Sequence, residues 1–372
     1  AAAYILTQGI DRKSILVAVV PVVIAISILV GYQFGLHVTI GVPVLYNRGF
    51  DPILETATGF SQILVMFLDR VFIAILYLGL FLLPLALIAT VYSWRVASHT
   101  RRRLFMLMTV ALFATVIGGL VRADRIMPLS GNILFDIGLG PALLRDVYLL
   151  GLPHLPRAPR VFWLAVTAAS IIGGVLAIQH VGAVAFHVIK KTITRERIND
   201  VFPAMLTLVA CILYLALIAV TGYLDRYLLF ILPLFMVGMM ATGLQTSRLI
   251  VGVASLLLLP YGVFSVGATH DYLLWNRARW NALHYLMEDG VSHHDIDGGF
   301  EFNGWYSYDP AYRHLPGKSW WWVHNDEYVL SFGPLEGYRA VERHSYQQWI
   351  PFRTGNIFVL RRIAEHERLT VK

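Results

Sequence analysis

Residues 71–94 read VFIAILYLGLFLLPLALIATVYSW, and this stretch decides the fold. It carries no charged side chain. At ~1.5 Å per residue it is long enough, as a helix, to cross a hydrocarbon layer of ~30 Å. Working outward along the chain, six further apolar blocks of similar length read as spans, over 14–34, 104–121, 161–189, 201–223, 227–245 and 249–268. The whole chain fits this pattern. Of its 372 residues 57% are hydrophobic and only 14% charged, whereas a soluble domain carries about a quarter charged residues. A large soluble core is therefore set aside.

The basic residues order these spans. Arg12 and Lys13 precede the first span; Arg95, Arg101, Arg102 and Arg103 follow the second; Lys190, Lys191, Arg195 and Arg197 follow the fourth; Arg248 follows the sixth. With seven spans these segments share one side, which the positive-inside rule makes cytoplasmic. The net charge of +7 is then explained by basic loops beside lipid headgroups rather than by nucleic acid, for which no basic-aromatic module is present. The expected arrangement is a bacterial inner-membrane protein with its N-terminus in the cytoplasm. Outer loops cover 35–70 and 122–160, and a tight outer turn lies at Leu224-Asp225-Arg226. The transmembrane domain covers 1–269 and a periplasmic C-terminal domain 270–372.

Composition changes after His270. The segment 275–289 has helical spacing and Gly290 fits its stop. Short β-like runs are expected at Phe300-Glu301-Phe302, at 319–323 and 328–332 as a hairpin, and at 356–361. A small α/β domain follows from this. Its dense aromatics (Trp305, Tyr306, Tyr308, Trp320, Trp321 and Trp322) read as core plus interfacial belt, with a sugar-stacking platform as the sharper alternative.

Candidate chemistry sits at the outer ends of the spans. A lipid phosphate rests at the membrane–water boundary, and arginine binds phosphate through its planar, permanently charged fork. Arg48 lies in the first outer loop, and Arg70, beside Asp69, leads into the second span. Arg122 and Arg125 lie just outside the third span, and Asp225, Arg226 and Tyr227 join the fifth to the sixth. Interfacial anchoring or local Asp–Arg pairing is the plain alternative for each. The glycines of Gly138-Leu139-Gly140-Pro141 fit tight turns and do not follow a strand as a nucleotide fold requires. His293-His294-Asp295 has no matching ligand cluster, so no metal-ligating residue is assigned. His154, between Pro153 and Pro156, is a loop histidine without an assigned role. The single cysteine, Cys211, excludes an internal disulfide and a CxxC zinc site.

Several stretches resemble bacterial family-39-type glycosyltransferases, the GT-C enzymes that include protein mannosyltransferase-like and aminoarabinose-transferase-like proteins. The resemblance rests on Leu76-Tyr77-Leu78-Gly79-Leu80-Phe81-Leu82-Leu83-Pro84 and on Gly131-Asn132 with Gly138-Leu139-Gly140-Pro141 and Leu144-Arg145-Asp146. It also rests on Asp225-Arg226-Tyr227-Leu228-Leu229 with Pro233, and on Gly298-Gly299-Phe300-Glu301-Phe302-Asn303-Gly304-Trp305. It implies a GT-C-like bundle corresponding to the last seven spans of such enzymes. The implied reaction moves a sugar from a polyprenyl-phosphate carrier to an acceptor on the outer face, by inverting displacement. Arg48 would touch the donor phosphate, with Arg226 and Tyr227 near the lipid-phosphate cavity. The family's catalytic carboxylates lie in a loop before these helices and have no counterpart here. The resemblance therefore assigns no catalytic residue to this chain. It leaves room for a divalent metal ion and for a partner: a separate N-terminal half or a larger membrane complex. The alternative function is a non-catalytic accessory subunit built on the same fold.

Overall fold

The computed structural model of the chain describes residues 12–39, 41, 59–96, 99–122, 124–127, 129, 143–155, 158–193, 202–222, 224–241, 247–319 and 321–364. The chain divides into two compact units. The first comprises Ala1–Thr39, Gly49–Gly131 and Pro159–Pro260, and the second Ile40–Arg48, Asn132–Ala158 and Tyr261–Lys372.

The first unit is helical: α1 (Arg12–Thr39), α2 (Phe60–Val96), α3 (His99–Arg122), α4 (Arg160–Ile193), α5 (Phe202–Thr221), α6 (Ile231–Ala241) and the opening turns of α7 (Arg248–Glu288). Each of the seven apolar stretches thus contains a helix among its described residues, the stretch over 227–245 as a 3-10 turn, Asp225–Phe230, followed by Ile231–Ala241. Among the described residues, three helical segments are long and apolar enough to cross a membrane, Phe60–Val91, Arg160–Phe186 and Arg248–Glu288. Val23–Thr39, Met106–Arg122 and Leu206–Thr221 are shorter apolar helices. The chain therefore has the character of a multi-pass membrane protein. Leucine and valine side chains such as Val110, Leu213 and Leu256 face outward on these helices, each more than 60% exposed. Water would penalise such surface, and lipid does not.

Helices α2 and α4 make the most intimate pair in this unit. They meet at glycine. A methyl group added to Gly79 would overlap the backbone of Gly174 and Ser170, and one added to Gly173 would overlap Gly79. Small residues allow backbones to approach, and close packing substitutes for the hydrophobic drive that lipid removes. Leu76, Tyr77, Leu82 and Val175 are buried around this contact. Thr90 adds a hydrogen bond from its hydroxyl to the carbonyl of Leu176 at 3.3 Å.

The second unit is an α/β domain. Its helix is the rest of α7, which runs unbroken through residue 270, so the expected helix over 275–289 continues the last apolar segment. Gly290 stops it with φ +81°, a conformation that glycine adopts without strain. The sheet has the order β1-β2-β4-β3, from β1 (Ile296–Asp297), β2 (Tyr328–Ser331), β3 (Tyr338–Trp349) and β4 (Phe352–Arg362). β1 and β2 are parallel, and the other pairs are antiparallel. Trp275, Leu283 and Leu286 of α7 pack on Phe332, Ile357 and Val359 of the sheet side. Leu144 and Leu155 belong to the same core.

Two local expectations are corrected. Phe300-Glu301-Phe302 begins a short helix, α8 (Phe300–Tyr306), rather than a strand, because Phe302 must turn inward against the core. Residues 321 and 322 form a turn, 319 and 323 are irregular, and β2 pairs with β4 and β1 instead of closing a hairpin with them. Trp321 and Trp322 pack inward with Tyr312. The long β3–β4 hairpin was only partly foreseen: residues 356–361 lie in β4, but β3 was not anticipated.

Candidate functional site

One end of the helical unit gathers the charges singled out in the sequence. α2 begins at Phe60, so Arg70 lies inside the helix rather than at its first turn. Its guanidinium donates to the carbonyls of Ala219 at 3.1 Å and Val220 at 3.3 Å. These are among the last carbonyls of α5, which lack partners within their own helix. Next to it, Asp69 accepts from Arg125 at 2.7 Å, with both side chains more than 40% exposed. Arg122 closes α3 and is exposed. Arg160, at the start of α4, stands 4.0 Å from Asp124.

The turn after α5 completes this end. Asp225 opens a 3-10 turn, Asp225–Phe230, and is fully buried. Its carboxylate accepts the Arg226 amide at 2.8 Å. The Tyr214 hydroxyl donates to the Tyr227 carbonyl at 2.9 Å, so the turn is bound to α5. Arg226 itself points outward. Its guanidinium lies 5.7 Å from the centre of the Tyr227 ring, a cation–π distance.

The arginines thus divide by task. Arg70 and Arg125 are engaged by backbone carbonyls and by Asp69. Arg122 and Arg226 are exposed and have no carboxylate partner among the described residues. A phosphate at this end would meet the second pair directly. Arg48 lies outside the described residues.

Between α2, α4, α5 and α6 lies an apolar cavity of about 220 Å³. Leu78, Gly174, His180, Cys211, Phe235 and Gly238 are among its walls, and the His180 and Phe235 rings meet edge to face at 6.0 Å. Such a lining suits a hydrocarbon segment rather than a polar ligand.

In the second unit the loop around residue 145 carries more order than its sequence suggested. A π-helical turn, Arg145–Leu149, presents Arg145 and Asp146 to the domain. Asp146 is fully buried and accepts from the Phe332 amide at 2.8 Å. The Nδ1 of His154 meets the same carboxylate oxygen at 2.8 Å, which gives the proline-flanked histidine a role. Burial holds the Asp146 carboxyl above the usual carboxylate range, against the pull of His154 and the Phe332 amide. Arg145, Lys318 and Arg362 converge on Asp326, whose side chain is 2% exposed. Burial and the two neighbouring guanidinium groups push the Lys318 ammonium down. Asp297, equally buried, is held by Asn303 at 2.9 Å and by Ser319. These carboxylates fasten loops to the domain. Sequence reading missed them because their contacts include partners far away in the chain, such as Phe332 for Asp146 and Arg145 for Asp326.

The aromatic stretch is divided. Trp321 and Trp322 are core, whereas Trp305 is 80% exposed. Among the described residues no group of His, Cys, Asp and Glu side chains is placed to hold a metal ion. No protein-family model, curated protein or solved structure matches this chain.

Proposed function

We propose that this chain is the membrane-embedded, carrier-binding part of a GT-C-type glycosyltransferase of the bacterial inner membrane. All seven helices would span, with the N-terminus cytoplasmic and the α/β domain periplasmic. The arginine end would take the phosphate of a polyprenyl-phosphate sugar. The observation that carries this reading is the division of arginines. Arg70 and Arg125 fix the end of the bundle, and Arg122 and Arg226 are left open where a lipid phosphate would sit. Arginine is the side chain suited to that contact. The family-like stretches give the glycosyl chemistry, and the transferred sugar would leave for an acceptor on the outer face.

The test is binding of a polyprenyl-phosphate sugar to the full protein in lipid nanodiscs. We expect saturable binding that Arg226→Ala weakens at least about tenfold, a loss of ~1.4 kcal/mol. No binding, or binding indifferent to Arg226→Ala, would sink the reading.

A second reading has its own support. Asp69 is occupied by Arg125 and Asp225 is buried under its own turn. Neither of these two aspartates is free to serve as a base; Asp124, an exposed carboxylate 4.0 Å from Arg160, stands outside both contacts. An accessory subunit of a larger membrane complex would keep such a fold without catalysis. It would copurify with a second membrane protein at fixed stoichiometry; isolation as a lone monomer in mild detergent counts against it.

A further inference from the structure

The tip of the β3–β4 hairpin presents large apolar rings at the surface of the α/β domain. Phe352 is 87% exposed and Trp349 45%, with Pro351 exposed between them. An aqueous domain gains nothing from presenting these rings, and exposed apolar tips favour association. Yet the tip is built rigidly. Asp271 of α7, 1% exposed, accepts the amides of both Trp349 and Ile350 at 2.8 Å. His270 stacks on the Trp349 ring at 3.8 Å and 15°. Ile350 packs on Gly267, where an added methyl would come within 2.6 Å of its Cδ1.

The position of that seat along α7 matters. The helix opens at Arg248 and is apolar through its next turns, with Val263 and Val266 still 70% and 63% exposed. From Arg248, a ~30 Å hydrocarbon layer is crossed after about 20 residues at ~1.5 Å each. That count ends at residues 267–268, level with the hairpin tip. His270 and Asp271 are the first His, Asp, Glu, Lys or Arg residues after Arg248 on this helix. The exposed rings therefore lie where a bilayer gives way to headgroups, the level at which tryptophan and other aromatics anchor proteins. Arg353, exposed beside them and tied to Gln348 at 2.7 Å, is placed to meet headgroup phosphates.

The geometry points to a lipid anchor: the β3–β4 tip inserts Trp349 and Phe352 into the outer headgroup–acyl boundary of the phospholipid bilayer. It rests on α7 crossing the membrane and is independent of the glycosyl chemistry. The anchor would hold the α/β domain at a fixed height over the bilayer, because Asp271 ties the tip to the helix that leaves it.

The experiment uses the full chain with Cys211→Ala and one new cysteine at Phe352, Ala340 or Leu259. Each is spin-labelled and reconstituted into phosphatidylcholine–phosphatidylglycerol vesicles. Collision with oxygen and with a water-soluble nickel complex is then measured. Position 340, exposed on β3 away from the tip, reports water, and 259 reports the span. We expect 352 to resemble 259, with nickel access at least about threefold below that at 340. Water-like access at 352 with protection at 259 overturns the anchor and leaves the membrane reading standing. Water-like access at both overturns both. A second measurement keeps the native cysteine: quenching of tryptophan emission by acyl-brominated phosphatidylcholine. Trp349→Phe should reduce the quenched fraction, and an unchanged fraction overturns the anchor.

Discussion

The carboxylate of Asp146 accepts the backbone amide of Phe332 at 2.8 Å, across 186 positions of sequence. One buried oxygen thereby fixes the end of β2 to a loop that lies between two apolar helices in the chain. Replacing Asp146 by alanine leaves the Phe332 amide buried without its acceptor, a loss of about 1–3 kcal/mol. Asparagine keeps an acceptor oxygen and removes the buried charge. We expect Asp146→Ala to lower the thermal midpoint in detergent clearly, and Asp146→Asn to lower it less or raise it.

The same residue sets a pH dependence. Burial raises the folded carboxyl above the ordinary carboxylate range, so the folded protein holds this proton where the unfolded chain has lost it. Stability from this group is complete below about pH 4 and declines as pH rises through the raised folded value. Asp146→Asn should remove that slope. Unfolding midpoints of both proteins across pH 4–7 check it; parallel curves would refute the assignment.

The arginines at the end of the helical unit should separate by measurement. Arg70 donates to two α5 carbonyls; Arg226 is exposed beside the Tyr227 ring and has no carboxylate partner among the described residues. Arg70→Ala is expected to lower the thermal midpoint, and Arg226→Ala to leave it within about 0.5 kcal/mol. Lipid-phosphate affinity should instead follow Arg226. Asp69–Arg125 is an exposed pair, and a double-mutant cycle should return a coupling under about 1 kcal/mol that fades in high salt.

Gly79 tests the helix pair. Its missing side chain lets α2 meet the backbone of α4 at Ser170 and Gly174. Backbone cannot yield as a flexible side chain can, so Gly79→Ala should separate α2 from α4. Gly182, also in α4, has open space around it, and Gly182→Ala should be neutral or mildly stabilising. Comparison of the two variants by thermal unfolding isolates the contact from general helix propensity.

These residues also show what could be read from sequence. Among the described residues, the apolar stretches foretold the α-helices of the first unit, because a run such as 71–94 has few alternatives once water is excluded. The charged groups at the span ends were visible for the same reason: they stand out against an uncharged background. The use of each arginine was not legible. Arg70 and Arg226 look alike in the chain, and only the distant carbonyls of Ala219 and Val220 distinguish them. In the α/β domain the local pattern misled. Phe300-Glu301-Phe302 alternates like a strand, yet its aromatic rings are drawn inward by Trp280 and Trp322 on a helix. β3 was missed because its residues are largely exposed and polar, and its pairing with β4 decides its conformation.

Arg279 supplies the sharpest stability test. Its side chain is 1% exposed, lies 5.3 Å and 5.7 Å from the rings of Trp275 and Trp280, and donates to Glu301 at 2.6 Å. A buried guanidinium is tolerated only while its charge is answered. Glu301→Ala removes that answer and leaves the cation among tryptophans. Such losses run to about 3–5 kcal/mol, and the partial exposure of Glu301 places this one at the lower end. Arg279→Met removes the buried charge together with its need for a partner and fills similar volume. The expected order of thermal midpoints is therefore wild type above or near Arg279→Met/Glu301→Ala, with Glu301→Ala alone lowest. If the single Glu301→Ala proved as stable as the double variant, the Arg279 charge would be compensated by something other than Glu301. The tryptophan faces alone would then have to hold it.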